Sequence, residues 1–116
     1  MEDCTFALTM LGSSDLERSV RFYTDVLGLR ESGRFGGFVF FDTGATTLAV
    51  TQEFAPPAPG DRSHECVFGV RSVGRAYDEL RDRIAFVNEP RQVNAQAWAV
   101  NFRDPDGHQL SFYGPE

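Results

Sequence analysis

Apolar residues recur along this chain at two spacings, and the switches between them mark its elements. From Ser14 to Leu29 (SDLERSVRFYTDVLGL), Leu16, Val20, Tyr23 and Leu27 fall on one face of a 3.6-residue period and predict an amphipathic helix. Ser14 followed by Glu17 reads as a capping box, and Gly28 stands where a left-handed C-cap residue is wanted. The preceding run Cys4 to Leu11 (CTFALTML) is apolar on both sides, as a strand covered on both faces would be, and Gly12-Ser13-Ser14 turns it into the helix. After the helix, Arg30 to Arg34 predicts a weak strand and Gly36-Gly37 breaks the pattern. Phe38 to Phe41 and Thr46 to Thr51 then predict a hairpin around Asp42-Thr43-Gly44-Ala45.

Phe54 to Ser63 (FAPPAPGDRS) holds three of the six prolines, has no periodicity and reads as a linker. Beyond it the pattern restarts. His64 to Arg71 predicts a strand, and Ser72 an N-cap. Val73, Ala76, Tyr77, Leu80 and Ile84 form a second helical stripe. Phe86 to Val93 and Ala97 to Phe102 predict strands, Asp104-Pro105-Asp106-Gly107 a tight turn, and Gln109 to Tyr113 the last strand. The halves superpose: Leu16, Val20, Tyr23 and Leu27 match Val73, Tyr77, Leu80 and Ile84 at one offset, with Asp15 over Ser72. The turn glycines Gly44 and Gly107 pair at a slightly larger offset. A strand-helix-three-strand unit used twice accounts for this agreement of face, cap and turn.

Composition sharpens this picture only modestly. A chain of 116 residues, 41% hydrophobic and with 11 phenylalanines, can bury a core without disulfides or metal. The phenylalanines suit a dense core, an aromatic-lined pocket, or both. The net charge of −6 and pI near 4.8 reflect solubility first. They argue against nucleic acid as a partner and weakly favour a cationic ligand. Cys4 and Cys66 read as reduced thiols. With no apolar run of membrane-spanning length and no leader before Cys4, the expectation is a cytoplasmic protein without a membrane partner.

The run DLERSVRFYTDVLGL and the ending FRDPDGHQLSFYG resemble the two hallmark segments of the vicinal-oxygen-chelate superfamily, which includes glyoxalase I, the bleomycin-resistance proteins and the extradiol dioxygenases. The resemblance covers essentially the whole chain. It implies an α+β fold of two βαβββ modules whose curved mixed sheets cup a cavity. It implies one domain over residues 1–116, with module one at 1–53, the linker at 54–63 and module two at 64–116. It also implies a homodimer.

Metal-dependent members of that superfamily carry ligands on the first and last strand of each module. Counting seven residues back from Asp15 and from Ser72 gives Leu8 and Glu65; counting four on from Gly44 and from Gly107 gives Leu48 and Ser111. Two leucines, one carboxylate and one hydroxyl do not make a zinc, nickel or iron site, so neither a metal nor another cofactor is expected. A slip of one residue brings in His64 for Glu65, but around Leu8 and Leu48 it brings only Ala7, Thr9, Thr47 and Ala49.

Other candidate chemistry is sparse. Gly33-Arg34-Phe35-Gly36-Gly37 lacks the strand-to-helix setting of a phosphate loop and reads as a flexible bend. Neither cysteine sits in a nucleophile motif, and Cys66 belongs to the core if Glu65 faces the cavity. His108 reads as a solvent-facing turn residue; His64 is either a strand-edge residue or borders the cavity. Glu65 is the one polar group on an apolar wall. It either contacts ligand or is paired by Arg71, Arg91, Ser111 or water, because a buried acid needs a partner.

Phe35, Phe38, Phe40, Phe54, Trp98, Phe102 and Tyr113 lie in or beside cavity strands, and alternation turns about half of them inward. Trp98, Phe38 or Phe40, and Tyr113 are the pocket candidates, with core packing as the alternative for each. Together with Glu65, Ser111, Leu8 and Leu48 they form the candidate ligand-binding set. The function expected is metal-independent binding of a small hydrophobic or planar aromatic molecule, in the manner of antibiotic sequestration. The alternative is a lyase or isomerase of the glyoxalase type, metal-dependent or using Glu65 as base. A third possibility is a structural or regulatory domain.

Overall fold

The computed structural model describes residues 3–116. The chain divides into two compact units, one ending at Pro57 and the other beginning at Ala58. Each is a four-stranded mixed sheet with its helix on one face, the α+β arrangement of two βαβββ modules.

In the first unit, β1 (Leu8–Gly12) leads into α1 (Leu16–Arg21), and β2 (Arg30–Phe35), β3 (Phe38–Asp42) and β4 (Thr47–Thr51) follow. The spatial order is β1-β4-β3-β2, with β1 parallel to β4 and the remaining pairs antiparallel. Residues that pair side by side share a face, so the register sorts every side chain. Leu11, Val39, Phe41, Leu48 and Val50 are buried on the helix face, where the Tyr23 ring meets that of Phe41 at 5.7 Å. Leu8, Met10, Phe38, Phe40, Thr47 and Ala49 share the opposite face.

The first helix departs from expectation at both ends. Its N-cap is Asp15, whose carboxylate accepts from the Arg18 N–H at 3.2 Å; Ser14 instead accepts from the Arg18 guanidinium at 3.0 Å, and Glu17 pairs with Arg34. There is therefore no capping box. Ser13 rather than Ser14 is buried, with its hydroxyl 2.6 Å from that of Ser19. Past Arg21 the helix widens into a π turn, Phe22–Val26, in which the Leu27 N–H reaches back to the Phe22 carbonyl. The Thr24 hydroxyl donates to the Val20 carbonyl at 2.7 Å, competing with the regular ladder at this point. Gly28 then adopts φ +73°, the left-handed cap its position suggested.

In the second unit, β5 (Cys66–Gly69), α2 (Val73–Leu80), β6 (Arg91–Gln92), β7 (Trp98–Arg103) and β8 (Gln109–Gly114) take the order β5-β8-β7-β6. Ser72 caps α2 as expected: its hydroxyl accepts from the Arg75 N–H and donates to the Glu116 carbonyl. The helix face buries Val73, Val100, Phe102, Leu110 and Phe112. The Phe102 and Phe112 rings lie 4.6 Å apart, and Phe86 bridges Tyr77 (4.8 Å) to Phe102 (5.6 Å). Much of the phenylalanine content is thus core.

Three strands are shorter than the apolar pattern implied. Cys4 to Ala7 and His64 to Glu65 lie outside β1 and β5, and only Arg91–Gln92 of the expected Phe86 to Val93 strand pairs with β7. In that loop, Asn88 and Val87 bond to β7 through Asn101 instead of extending the ladder.

Candidate functional site

The register of module two sets one group of side chains on the face opposite α2. Arg91 stands beside Ala99, Asn101 beside Ser111 and Ser111 beside Val67, with Arg103 beside Gln109. Glu65, two residues before Val67, reaches the same face. Its carboxylate accepts from the Asn101 amide (Nδ2 to Oε1, 2.9 Å) and from the Ser111 hydroxyl (to Oε2, 3.0 Å). Asn101 is the hub. Its Oδ1 accepts from Arg91 Nη1 at 2.7 Å and from Asn88 Nδ2 at 2.9 Å, while its backbone N–H donates to Asn88 Oδ1 at 2.9 Å. One amide therefore holds a guanidinium at one end and a carboxylate at the other, each by a charge-assisted bond.

This cluster lines a cavity of about 520 Å³ whose charged walls are Arg62, Glu65, Arg91 and Arg103, with the amides of Asn88, Asn101 and Gln109. That volume lies in the range of small-molecule sites. Three guanidiniums face one carboxylate there. Arg103 is steadied by donating to the Gly107 carbonyl at 2.9 Å. Among the described residues, none of the three arginines has a carboxylate within ion-pair distance. The net charge weakly favours a cationic ligand, whereas the wall of this cavity carries three guanidiniums against one carboxylate.

The strand register also corrects one position. Met10 and Val67 each lie five residues before their caps, Asp15 and Ser72, and their neighbours on the last strand are Ala49 and Ser111. Ala49, not Leu48, is therefore the counterpart of Ser111, because the Gly44 turn runs one residue longer than the Gly107 turn. Leu48 points to the helix face and is core; a one-residue slip reverses a strand's faces. Leu8, Ala49, Glu65 and Ser111 then occupy the four equivalent places. One carboxylate and one hydroxyl do not fit a metal ion, and the described residues contain no cluster of three or more His, Cys, Asp or Glu side chains.

The aromatic candidates separate. Phe38 and Phe40 share the open face of module one with Leu8, their rings nearly parallel (14°) at 6.3 Å. Tyr113 lies on the face of Ser111 in module two, and its hydroxyl accepts from Asn94 at 3.3 Å. Trp98 has the parity of Val100 and Phe102 and so belongs to the helix side of β7, away from the polar cluster.

His108 corrects another expectation. It is only 6% exposed, because the Asp104 carboxylate accepts from the His108 and Asp106 N–H groups and folds the turn tightly. His64 is exposed and its ring lies 6.5 Å from that of His108. Cys66 pairs with Leu110 on the helix side, where burial first, then the nearby Asp104 and Glu65 carboxylates, push its thiol pKa up.

Sequence reasoning missed Asn88, Asn101, Arg62 and Arg103. Strand parity carried the signal for two of them: Asn101 and Arg103 alternate with buried Val100 and Phe102. Arg62 and Asn88 lie in loops with no such period.

The model of the Glyoxalase/Bleomycin resistance protein/Dioxygenase superfamily matches residues 5–112. The chain belongs to this superfamily. Within it, the chain is 26% identical over 109 residues to the glutathione transferase FosA of Serratia marcescens, covering 89% of this chain and 75% of that protein. A glyoxalase/bleomycin resistance protein/dioxygenase from Nocardioides superposes with a TM-score of 0.78 at 27% identity, over 97% of this chain and 83% of that one. A lactoylglutathione lyase from Agrobacterium tumefaciens shares the fold at 20% identity, with a TM-score of 0.76 over 97% of this chain and 95% of that one. No helix among the described residues is long and apolar enough to cross a membrane.

Proposed function

We propose that this superfamily member binds a small organic molecule directly through its side chains, without a coordinated metal. The observation that carries this reading is the module-two cavity, whose polar wall is pre-assembled by the Asn101 amide between Arg91 and Glu65. Preorganisation of this kind lowers the cost of ordering a site when ligand arrives. The nearly parallel Phe38 and Phe40 rings of module one support an affinity for planar groups.

A second reading, an enzyme, draws on Glu65, a carboxylate at the cavity whose two oxygens are oriented by two donors. That two relatives are named as a transferase and a lyase supports it as well.

The test is calorimetric titration of chelator-treated protein with a panel of small aromatic compounds, repeated on Glu65→Gln. Binding that survives chelation supports the proposal, and binding that requires added metal sinks it. If a bound compound is also converted, and conversion but not binding disappears in Glu65→Gln, the enzyme reading replaces the binder.

A further inference from the structure

We infer that the module-two cavity selects a molecule bearing an oxyanion, planar as in a carboxylate or tetrahedral as in a phosphoryl group, whose charged end is held by Arg91 with Arg62 and Arg103 around it. This rests on the binding reading above and names the ligand class for the same site.

The inference starts from charge placement. The chain carries 17 acidic and 11 basic residues, and every basic residue is arginine. Three of those arginines line this one cavity, against a single carboxylate. That carboxylate is already engaged, accepting from Asn101 and Ser111. Elsewhere arginines do find acids: Arg30 pairs with Asp42 at 2.7 Å, and Arg34 with Glu31 and Glu17 at 2.6 and 2.9 Å. The cavity arginines pair with none among the described residues.

Arg91 is the best-posed of the three. A guanidinium has five N–H donors in a planar fork, and Asn101 Oδ1 takes one of them. The neutral amide fixes the fork without neutralising it, whereas a carboxylate at position 101 would have done both. Arg103 is fixed in the same way by a neutral acceptor, the Gly107 carbonyl. Fixed but unneutralised guanidiniums are the chemistry that recognises planar or tetrahedral oxyanions by paired hydrogen bonds.

The experiment uses ring-matched probes on the full chain: benzoate, phenylphosphonate, neutral benzamide and cationic benzamidine, each titrated by calorimetry. The expected result is saturable binding of one or both anions at least about tenfold tighter than benzamide or benzamidine, weakening as salt rises. The tighter of benzoate and phenylphosphonate identifies the oxyanion. Arg91→Gln lowers anion affinity about tenfold, a clearly larger loss than for benzamide, so the ratio of benzoate to benzamide affinity falls. Arg62→Gln, at an exposed position, gives a smaller loss in the same direction and serves as the second variant should Arg91→Gln fold poorly. Saturable binding of all four probes with equal affinity overturns the anion inference while leaving the binding reading standing. Saturable binding of none overturns both.

Discussion

Asn101 engages every polar atom it has, backbone and side chain. An amide is the residue type that can accept from Arg91 at one end and donate to Glu65 at the other. Asn101→Leu removes these bonds and strands the Asn88 amide, with an expected stability loss of about 1–3 kcal/mol in chemical denaturation. Asn101→Asp keeps the size but sets a negative oxygen against Glu65 and neutralises Arg91. Asn101 is a positioning residue, and the readout specific to that role is the ratio of benzoate to benzamide affinity. Asn101→Asp is expected to collapse the ratio toward one even where the melting temperature holds. An unchanged ratio would reduce Asn101 to a packing residue.

The same scale shows what a sequence leaves unstated. Glu65 was legible as a lone acid in a strand-like run, although it is exposed and its wall is polar where an apolar wall around a buried acid was expected. Its partner was not, since Asn101 lies 36 residues away and is paired with it only by the β5-β8-β7 register. Side-chain type marks a polar group, but strand pairing chooses its neighbour.

Among the elements, the second sheet depends on its ring cluster. Phe102 is buried and its ring contacts those of Phe86 and Phe112, so Phe102→Ala is expected to cost about 3–5 kcal/mol in denaturant unfolding, by lost burial and a residual cavity. A second control lies at Gly114, which has φ +157° and no room for a Cβ against the Val70 carbonyl. Gly12 has a parallel role in the first unit, where a Cβ would meet the Ala55 carbonyl.

The β3–β4 turn has its own pH signature. The Gly44 N–H, then the Arg30 guanidinium, hold the Asp42 carboxyl below its usual value. A folded pKa below the unfolded one gives a contribution that is full above the unfolded value and fades as pH falls through the folded one. The Gly44 amide resonance is therefore expected to titrate below about pH 4, and Asp42→Asn to abolish that transition. A Gly44 shift centred at or above the ordinary aspartate value would contradict the assignment.

Helix faces, the Ser72 cap, the Gly28 stop and the hairpin were all readable, because each is a local pattern with a local cause. The Asp15 cap and the π turn were not. Ser14 and Asp15 are both good caps, and the choice between them follows from how Ser13 is buried against Ser19.

At the scale of the molecule, two electrostatic effects run in opposite directions. Excess acid over the whole chain produces self-repulsion, while the module-two cavity concentrates positive charge. Raising salt at neutral pH is expected to raise the melting temperature by screening the first and to weaken oxyanion binding by screening the second. A thermal melt and a calorimetric titration across one salt series check both. Parallel changes in stability and affinity would mean that the arginines do not act as a local site.

The sequence by itself determined the duplicated strand-helix-three-strand plan, because periodicity, caps and turn residues are short-range and repeat at nearly one offset; the family came from the resemblance of two segments, DLERSVRFYTDVLGL and FRDPDGHQLSFYG. The sequence also showed that apolar residues stand at two of the positions where the superfamily's metal-dependent members carry ligands. Only the tertiary structure decided that Ala49 and not Leu48 is the counterpart of Ser111, that Trp98 turns to the helix side, that His108 is buried, and that Arg91, Asn101 and Glu65 form one cluster. His108 is buried by the Asp104 turn; for the other three the reason is common. A strand's two faces differ by a single residue of register, and register is set by pairing between segments far apart in the chain.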